Sequence, residues 1–400
     1  MKYLTDYIKE KNENTLVVGG TASGKTSLVV IPTLLQRDGS YIFYDATGMQ
    51  YQKLAADFLR DGYRVRILNI KDKEKTDGYN PIAYVQKMED AIMIAEYLVE
   101  KKEDVDVFFC EAEKQFLAAC ILFAAKQKVP NNNFQAILDV LKGCQHDQSF
   151  TICEYLQEQF SKVSDSNVSN QLCGVVKRLS EKILKVLVVS ACTKICELAD
   201  ILRKDDINLP TISEQKTIVF LVPNIRDQKY NFILSLFIEQ SSCVLMKQVN
   251  SFPVSYILDE FSCLKNIHNL EFLVMKASRF GVKYLVSVMS IEQVQMLYPC
   301  KWEQIVRSFH NVIYLGTCEP KTIGYMKKYL ISVGAYGKEF KASTGKETSS
   351  ELALYEQFLD KKIYGNIDDV VLVLHDRESY VFPKHSLLQF FVEYTMEGDC

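Results

Sequence analysis

The stretch Gly19-Gly20-Thr21-Ala22-Ser23-Gly24-Lys25-Thr26 constrains this chain more than any other. It satisfies the spacing G-x-x-x-x-G-K-[ST] of a phosphate-binding loop. Such a loop needs a buried strand before it and a helix after it. Thr15-Leu16-Val17-Val18 is short, apolar and partly β-branched, which predicts the strand. Residues 27–36 predict the helix, kinked or shortened at Pro32. The glycines let the backbone aim its N–H groups at phosphate oxygens, and the helix N-terminus adds partial positive charge. In that arrangement Lys25 reaches the β- and γ-phosphates and the Thr26 hydroxyl ligates Mg²⁺. Gly19, Gly20, Thr21, Ala22, Ser23, Gly24 and Ser27 complete the cradle.

The pattern around the loop is that of an α/β protein. Residues 40–45 read as a second strand, 51–61 as a helix ended by Gly62, and 63–70 as a third strand. Strand, helix and strand in succession predict a mostly parallel sheet with crossover helices. After Tyr79-Asn80-Pro81 the pattern changes. Residues 88–100, 111–127, 134–141 and 171–203 read as helices, with no convincing strand between them. The α/β alternation then resumes, with strands at 217–222, 254–258, 283–289 and 312–316 and helices at 230–247, 269–279, 292–298, 302–309 and 321–330. Residues 334–350 read as a loop, and 369–374 with 378–382 as a terminal hairpin. The expected division is therefore 1–84 for the first part of a nucleotide-binding domain, 85–207 for an all-helical insertion, and 208–400 for the second part with a C-terminal extension.

Composition narrows the classes. With 48% apolar and 24% charged residues, a chain of 400 residues buries a sizeable core. A net charge of −3 gives no general affinity for nucleic acid, so any such contact needs a local basic patch. Lys265, Lys276, Arg279 and Lys283 form one candidate. The 12 cysteines contain no C-x-x-C pair and read as reduced thiols; Cys192 and Cys196, four apart, read as buried small side chains rather than a metal site. The five histidines share no spacing and read as structural or surface residues. No apolar run is long enough to cross a bilayer, and the polar N-terminus is not a signal peptide.

A second motif completes the nucleotide reading. Asp259-Glu260 follows the strand Val254-Ser255-Tyr256-Ile257-Leu258. Carboxylates at the C-terminal end of such a strand lie beside the phosphate loop. There Asp259 serves the Mg²⁺ shell and Glu260 polarises the attacking water. Arg279 reads either as an arginine finger reaching across a subunit boundary or as a solvated helix-end arginine.

The order of these motifs resembles the TraG/TraD family of type IV secretion coupling ATPases. The resemblance is carried by Val17 to Thr26, Val30-Ile31-Pro32-Thr33-Leu34-Leu35, Gly39-Ser40-Tyr41, Gly62-Tyr63-Arg64-Val65, Tyr79-Asn80-Pro81, Ile257-Leu258-Asp259-Glu260-Phe261 and Ser278-Arg279. Gln293, Tyr298, Tyr314-Leu315-Gly316 and Thr322 continue it. It implies a RecA-like P-loop motor with an inserted all-helical domain that recognises substrate. It also implies ATP and Mg²⁺ as cofactors, and a homo-hexameric ring at the cytoplasmic face of the cell membrane. Such a ring brings single-stranded DNA, a relaxase–DNA complex or a protein substrate to secretion channel proteins.

The sequence departs from the family at four places. No transmembrane anchor precedes the loop at residue 19, so a longer chain or a partner supplies one. Ala22 stands where the family usually has glycine, which a negative φ would tolerate. Asp45-Ala46-Thr47-Gly48 replaces Asp-Pro-Lys-Gly, losing the lysine. Met289 occupies the place of a γ-phosphate-sensing glutamine and cannot donate its hydrogen bond. Three uses are compatible with these residues: an ATP-driven coupling motor, a nucleotide-gated adaptor with little turnover, and a DNA translocase of the FtsK/HerA kind.

Overall fold

Short, largely apolar and buried stretches build most of the strands, as expected when both faces of a parallel sheet are covered. The computed structural model describes residues 13–99, 106–128, 131–146, 150–264, 266–332, 370–375 and 378–383. The expected loop at 334–350 and Lys265 lie outside them. The chain folds as two compact units, Met1–Ile67 with Leu209–Cys400, and Leu68–Asn208.

The first unit is organised by a sheet of nine strands: β1 (Thr15–Val18), β2 (Ser40–Tyr44), β3 (Arg64–Asn69), β4 (Thr217–Val222), β5 (Val254–Leu258), β6 (Val282–Val288), β7 (Asn311–Tyr314), β8 (Val370–His375) and β9 (Glu378–Pro383). Their order is β3-β4-β2-β5-β6-β1-β7-β8-β9. β1 pairs in parallel with β6 and β7, and β2 in parallel with β4 and β5. β5 and β6 also pair in parallel. The terminal hairpin β8–β9 adds antiparallel to β7. Because the central pairs are parallel, the chain leaves β1, β2, β5, β6 and β7 at one common edge of the sheet.

The segment after the loop differs from the simple helix expected. Lys25–Val30 forms a π-helical stretch, and Ile31–Leu35 (α1) continues as α-helix with Pro32 in its first turn. There proline lacks only an amide that a helix start leaves unpaired. Met49–Arg60 (α2) follows β2. The helical unit contains Met88–Leu98 (α3), Val107–Ala125 (α4), Phe134–His146 (α5), Ile152–Ser161 (α6), Ser166–Lys177 (α7) and Glu181–Ala199 (α8). The single helix expected over 171–203 is thus two, because the Ser180 hydroxyl caps α8 by accepting from the Ile183 amide at 3.4 Å. α6 is a helix that the apolar periodicity did not predict. α4 carries an unbroken buried run from Phe116 to Ala124. Among the described residues no helix is long and apolar enough to cross a membrane. This unit also holds an open cavity of about 830 Å³ lined by Asn80, Phe123, Gln127, Asn132, Asn133 and Arg203.

Phe232–Leu245 (α9), Leu270–Ala277 (α10), Ile291–Leu297 (α11), Trp302–Arg307 (α12) and Pro320–Ser332 (α13) alternate with the later strands. α10 is shorter than the helix expected to Arg279; Ser278–Phe280 tightens into a 3₁₀ turn that ends at Gly281, φ 69°. Cys196, expected to be buried, is exposed. One face of the sheet is packed with aromatic rings: Phe220 meets Phe43, Phe58 and Tyr51 at centroid distances of 5.9, 6.4 and 5.2 Å. On another part of the sheet Tyr256 and Tyr284 stack at 4.8 Å, and the Tyr256 hydroxyl shares a 2.8 Å hydrogen bond with Ser241 of α9. Asn14, at the entrance to β1, is fully buried, donating to the Val274 carbonyl at 2.6 Å and accepting from the Tyr284 amide at 2.8 Å.

Phe220 is the ring shared by most of these contacts, so Phe220→Ala should lower unfolding free energy by about 3–5 kcal/mol. Urea denaturation followed by circular dichroism measures it. A loss below about 1 kcal/mol would contradict the central place of this ring.

Candidate nucleotide-binding site

The loop after β1 is fastened to the strands on both sides. Gly19 N donates to the Val288 carbonyl at 3.1 Å, Gly20 N to the Gly316 carbonyl at 2.8 Å, and Leu315 N returns a bond to Val18 at 2.8 Å. Close approach explains Gly19 and Gly24 but not Gly20, where an added Cβ would meet nothing nearer than 3.6 Å. At Gly24, φ is +94° and an added Cβ would lie 2.6 Å from Leu28 Cδ1, so a side chain there would strain the backbone and displace Leu28.

Ala22 corrects the expectation drawn from its sequence. Its φ is +60°, in the left-handed region, so the alanine is accommodated at a cost in strain and not by a negative φ. The loop therefore keeps the backbone shape that glycine would adopt freely.

Lys25 is buried, and its ammonium donates to the Gly19 and Gly20 carbonyls at 2.7 and 2.9 Å. Burial pushes its pKa down, while the Asp259 and Glu260 carboxylates pull it up. Thr26 donates from its hydroxyl to Asp259 Oδ2 at 2.6 Å, joining the loop to the end of β5. Asp259 is buried, and its other oxygen accepts from the Ser287 hydroxyl of β6 and from the Glu260 amide, the latter at 3.1 Å. Glu260 N also donates to Ser287 Oγ at 3.0 Å. Glu260 has φ 51° and ψ 48°, a left-handed conformation for a residue with a side chain. The structure thus brings Lys25, Thr26, Asp259 and Glu260 together from two distant parts of the sequence. Ser27, at the exposed side of the turn, donates to the Gly24 carbonyl at 3.5 Å. Thr21 donates to the Met289 thioether sulfur at 3.9 Å. Ser23 Oγ is buried with no hydrogen-bond partner among the described residues.

Arg279 does not join this cluster. It is exposed in the 3₁₀ turn after α10 and makes no ion pair among the described residues. The expected basic patch loses Lys283, which is mostly buried and pairs with Asp38 at 3.2 Å. Lys276 instead lies over the exposed Phe272 ring, 3.9 Å from its centroid. Asp45-Ala46-Thr47-Gly48 turns the chain into α2. Asp45 accepts from the Gly48 and Tyr51 amides at 3.0 and 2.8 Å, and Thr47 Oγ1 accepts from Met49 N at 3.2 Å. Thr47 therefore serves the helix start where a lysine was expected.

Sequence reasoning missed two residues here. Ser287 is fully buried in an apolar strand, and that lone hydroxyl between Val286 and Val288 was the available signal. Tyr44, at the end of β2, is fully buried with a hydroxyl that has no hydrogen-bond partner among the described residues. Burial, then the nearby Cys263 and Glu260, push its pKa up.

The donor set fits a magnesium nucleotide. Mg²⁺ prefers hard oxygens and is held by one or two protein groups plus phosphates. The Thr26 hydroxyl and Asp259 carboxylate, already in contact, offer those oxygens beside a buried ammonium and a glycine turn. Parallel strands, a phosphate loop and acidic residues at the adjoining strand end define the P-loop nucleotide-binding class.

The family described as "Type IV secretory system Conjugative DNA transfer" matches residues 4–353, and the chain belongs to it, as a type IV coupling protein of the TraG/TraD/VirD4 kind. Protein VirD4 of Agrobacterium fabrum is 22% identical over 359 residues, covering 84% of this chain and 51% of the relative. Protein VirD4 of Rhizobium rhizogenes is 21% identical over 359 residues, covering 84% of this chain and 50% of the relative. The chain thus spans about half the length of the curated relatives it matches. Among solved structures, the plasmid coupling protein TrwB with a non-hydrolysable ATP analogue superposes with a TM-score of 0.63 at 15% identity, covering 94% of this chain and 86% of that one. TrwB with ADP and Mg²⁺ gives 0.57 at 14% identity, covering 94% and 79%. These likenesses establish the RecA-like fold.

The strain at Ala22 carries a direct consequence. Ala22→Gly removes the left-handed penalty of about 1–2 kcal/mol, offset in part by glycine's greater freedom when unfolded. We expect a net gain near 0.5–1 kcal/mol in urea-monitored stability. A loss on substitution would contradict the strained conformation.

Proposed function

We propose that this chain binds ATP with Mg²⁺ and hydrolyses it to deliver relaxase-bound DNA, single-stranded DNA or a protein substrate to a type IV secretion channel. The observation that carries the proposal is the contact of the Thr26 hydroxyl with Asp259 at 2.6 Å, with Glu260 held at the same sheet edge. Lys25 would bind the phosphates; Thr26 and Asp259 would hold Mg²⁺, which neutralises phosphate charge when bound. Gly19 to Ser27 would form the cradle, and Glu260 would orient and deprotonate the attacking water. Burial of Lys25 and Asp259 strengthens their electrostatic action by excluding water. Arg279, exposed, would complete a neighbouring subunit's site in a homo-hexamer. Within this reading residues 1–84 and 208–400 form the motor and 85–207 the substrate-recognising domain. The ring would stand at the cytoplasmic face of the membrane, against channel proteins. VirD4 and TrwB, the relatives above, support this reading by family.

Met289 favours a second reading. Its thioether accepts from Thr21 and offers no donor to a γ-phosphate, which suits a nucleotide-gated adaptor with little turnover. Steady-state ATP hydrolysis with and without single-stranded DNA separates the two. A motor gives turnover that DNA raises and that Lys25→Ala lowers by roughly a hundredfold or more. Tight ATP binding with turnover equal to that of Lys25→Ala, under both conditions, would replace the motor by the adaptor.

A further inference from the structure

We infer that Ser287 is the positioning residue that sets the Asp259 carboxylate and the Glu260 backbone of this site, an inference that rests on the nucleotide reading above. One hydroxyl does this by acting in two directions. Ser287 Oγ donates its proton to Asp259 Oδ1 and accepts the Glu260 amide at 3.0 Å. Asp259 Oδ1 accepts the same amide at 3.1 Å, closing a small ring of contacts around the Asp259–Glu260 peptide. The other Asp259 oxygen accepts from Thr26. A hydrogen-bonded path therefore runs from Thr26 on the loop, through Asp259 on β5, to Ser287 on β6, and back to Glu260.

The path explains two otherwise costly features. Glu260 occupies φ 51°, ψ 48°, a conformation that persists in a residue with a side chain only when its surroundings over-determine it. The shared Glu260 amide supplies that constraint. Ser287 also places a polar group at full burial between apolar neighbours, which is tolerated only with its hydrogen bonds made. Its position is fixed from β1 as well, since Ser287 is in register with Val17, two residues before Gly19. Backbone pairing thus ties Ser287 to the origin of the phosphate loop, and its hydroxyl ties it to the acidic pair. Losing the hydroxyl frees Asp259 Oδ1 to turn and removes one of two acceptors holding Glu260.

The test uses the full 400-residue chain as wild type, Ser287→Ala, Ser287→Thr and Lys25→Ala. Two quantities are read: ATP turnover, and the Mg²⁺ concentration that half-saturates binding of a fluorescent ATP analogue. Residues that orient a metal's protein ligands change affinity or activity by roughly ten- to a hundredfold when removed. Ser287→Ala should lower kcat by that factor with KM little changed, and should raise the Mg²⁺ midpoint; Ser287→Thr, which keeps the hydroxyl, should recover most of both. Equal impairment in the Ala and Thr variants, or an unchanged Mg²⁺ midpoint in Ser287→Ala, would overturn the inference. If wild type turns over no faster than Lys25→Ala, hydrolysis fails as a reading, yet the Mg²⁺ midpoint still decides for or against Ser287. Absence of nucleotide binding by wild type would overturn both.

Discussion

The hydrogen bond between Thr26 and Asp259 joins residues 233 positions apart and depends on the whole sheet being correctly assembled. β1 and β5 are not neighbours; β6 lies between them and pairs in parallel with each. Only because all three strands run the same way do their C-terminal ends meet at one edge. A one-residue slip in either pairing would turn Ser287 or Leu258 to the opposite face and separate the loop from the acidic pair. The fully buried runs on both faces of the sheet oppose such slips through the packing they would sacrifice.

At that edge the chain departs from relaxed backbone more than once. Ala22 and Glu260 are both left-handed without being glycine. Each lies in a turn that leaves a central strand, where the backbone must reverse within a few residues and expose a functional group. The stability needed to hold such turns comes from elsewhere: the aromatic cluster around Phe220, the stacked Tyr256 and Tyr284, and the buried Asn14 that locks the entry to β1. Lys25, held by carbonyls of its own loop and lowered in pKa by burial, belongs to the same crowded edge.

Much of this was legible in the sequence, for identifiable reasons. Strands buried on both faces read as unbroken apolar runs, so Leu16 to Val18 and Tyr256 to Leu258 declared themselves together with the motifs that follow them. The division of the last long helix at Ser180 was not read, although serine followed by glutamate is a helix-start signal, because apolar spacing continued through it. The conformation of Ala22 could not be read, since spacing fixes residue types and not φ. Lys283 was misread as part of a local basic patch because its partner, Asp38, lies 245 residues away. Ser287 escaped for the same reason: its meaning comes from Asp259, 28 residues earlier, and only strand pairing brings the two together.

The central claim is that the loop and the acidic strand end act as one metal–nucleotide site. A double-mutant cycle tests it most directly, with Mg²⁺-dependent ATP affinity measured by calorimetry for wild type, Thr26→Ala, Asp259→Ala and the double variant. Groups in contact within one network couple by roughly 0.5–3 kcal/mol. The account predicts a coupling in that range, with the double variant little worse than the poorer single one. Effects that add within about 0.3 kcal/mol would contradict it and separate the loop from Asp259.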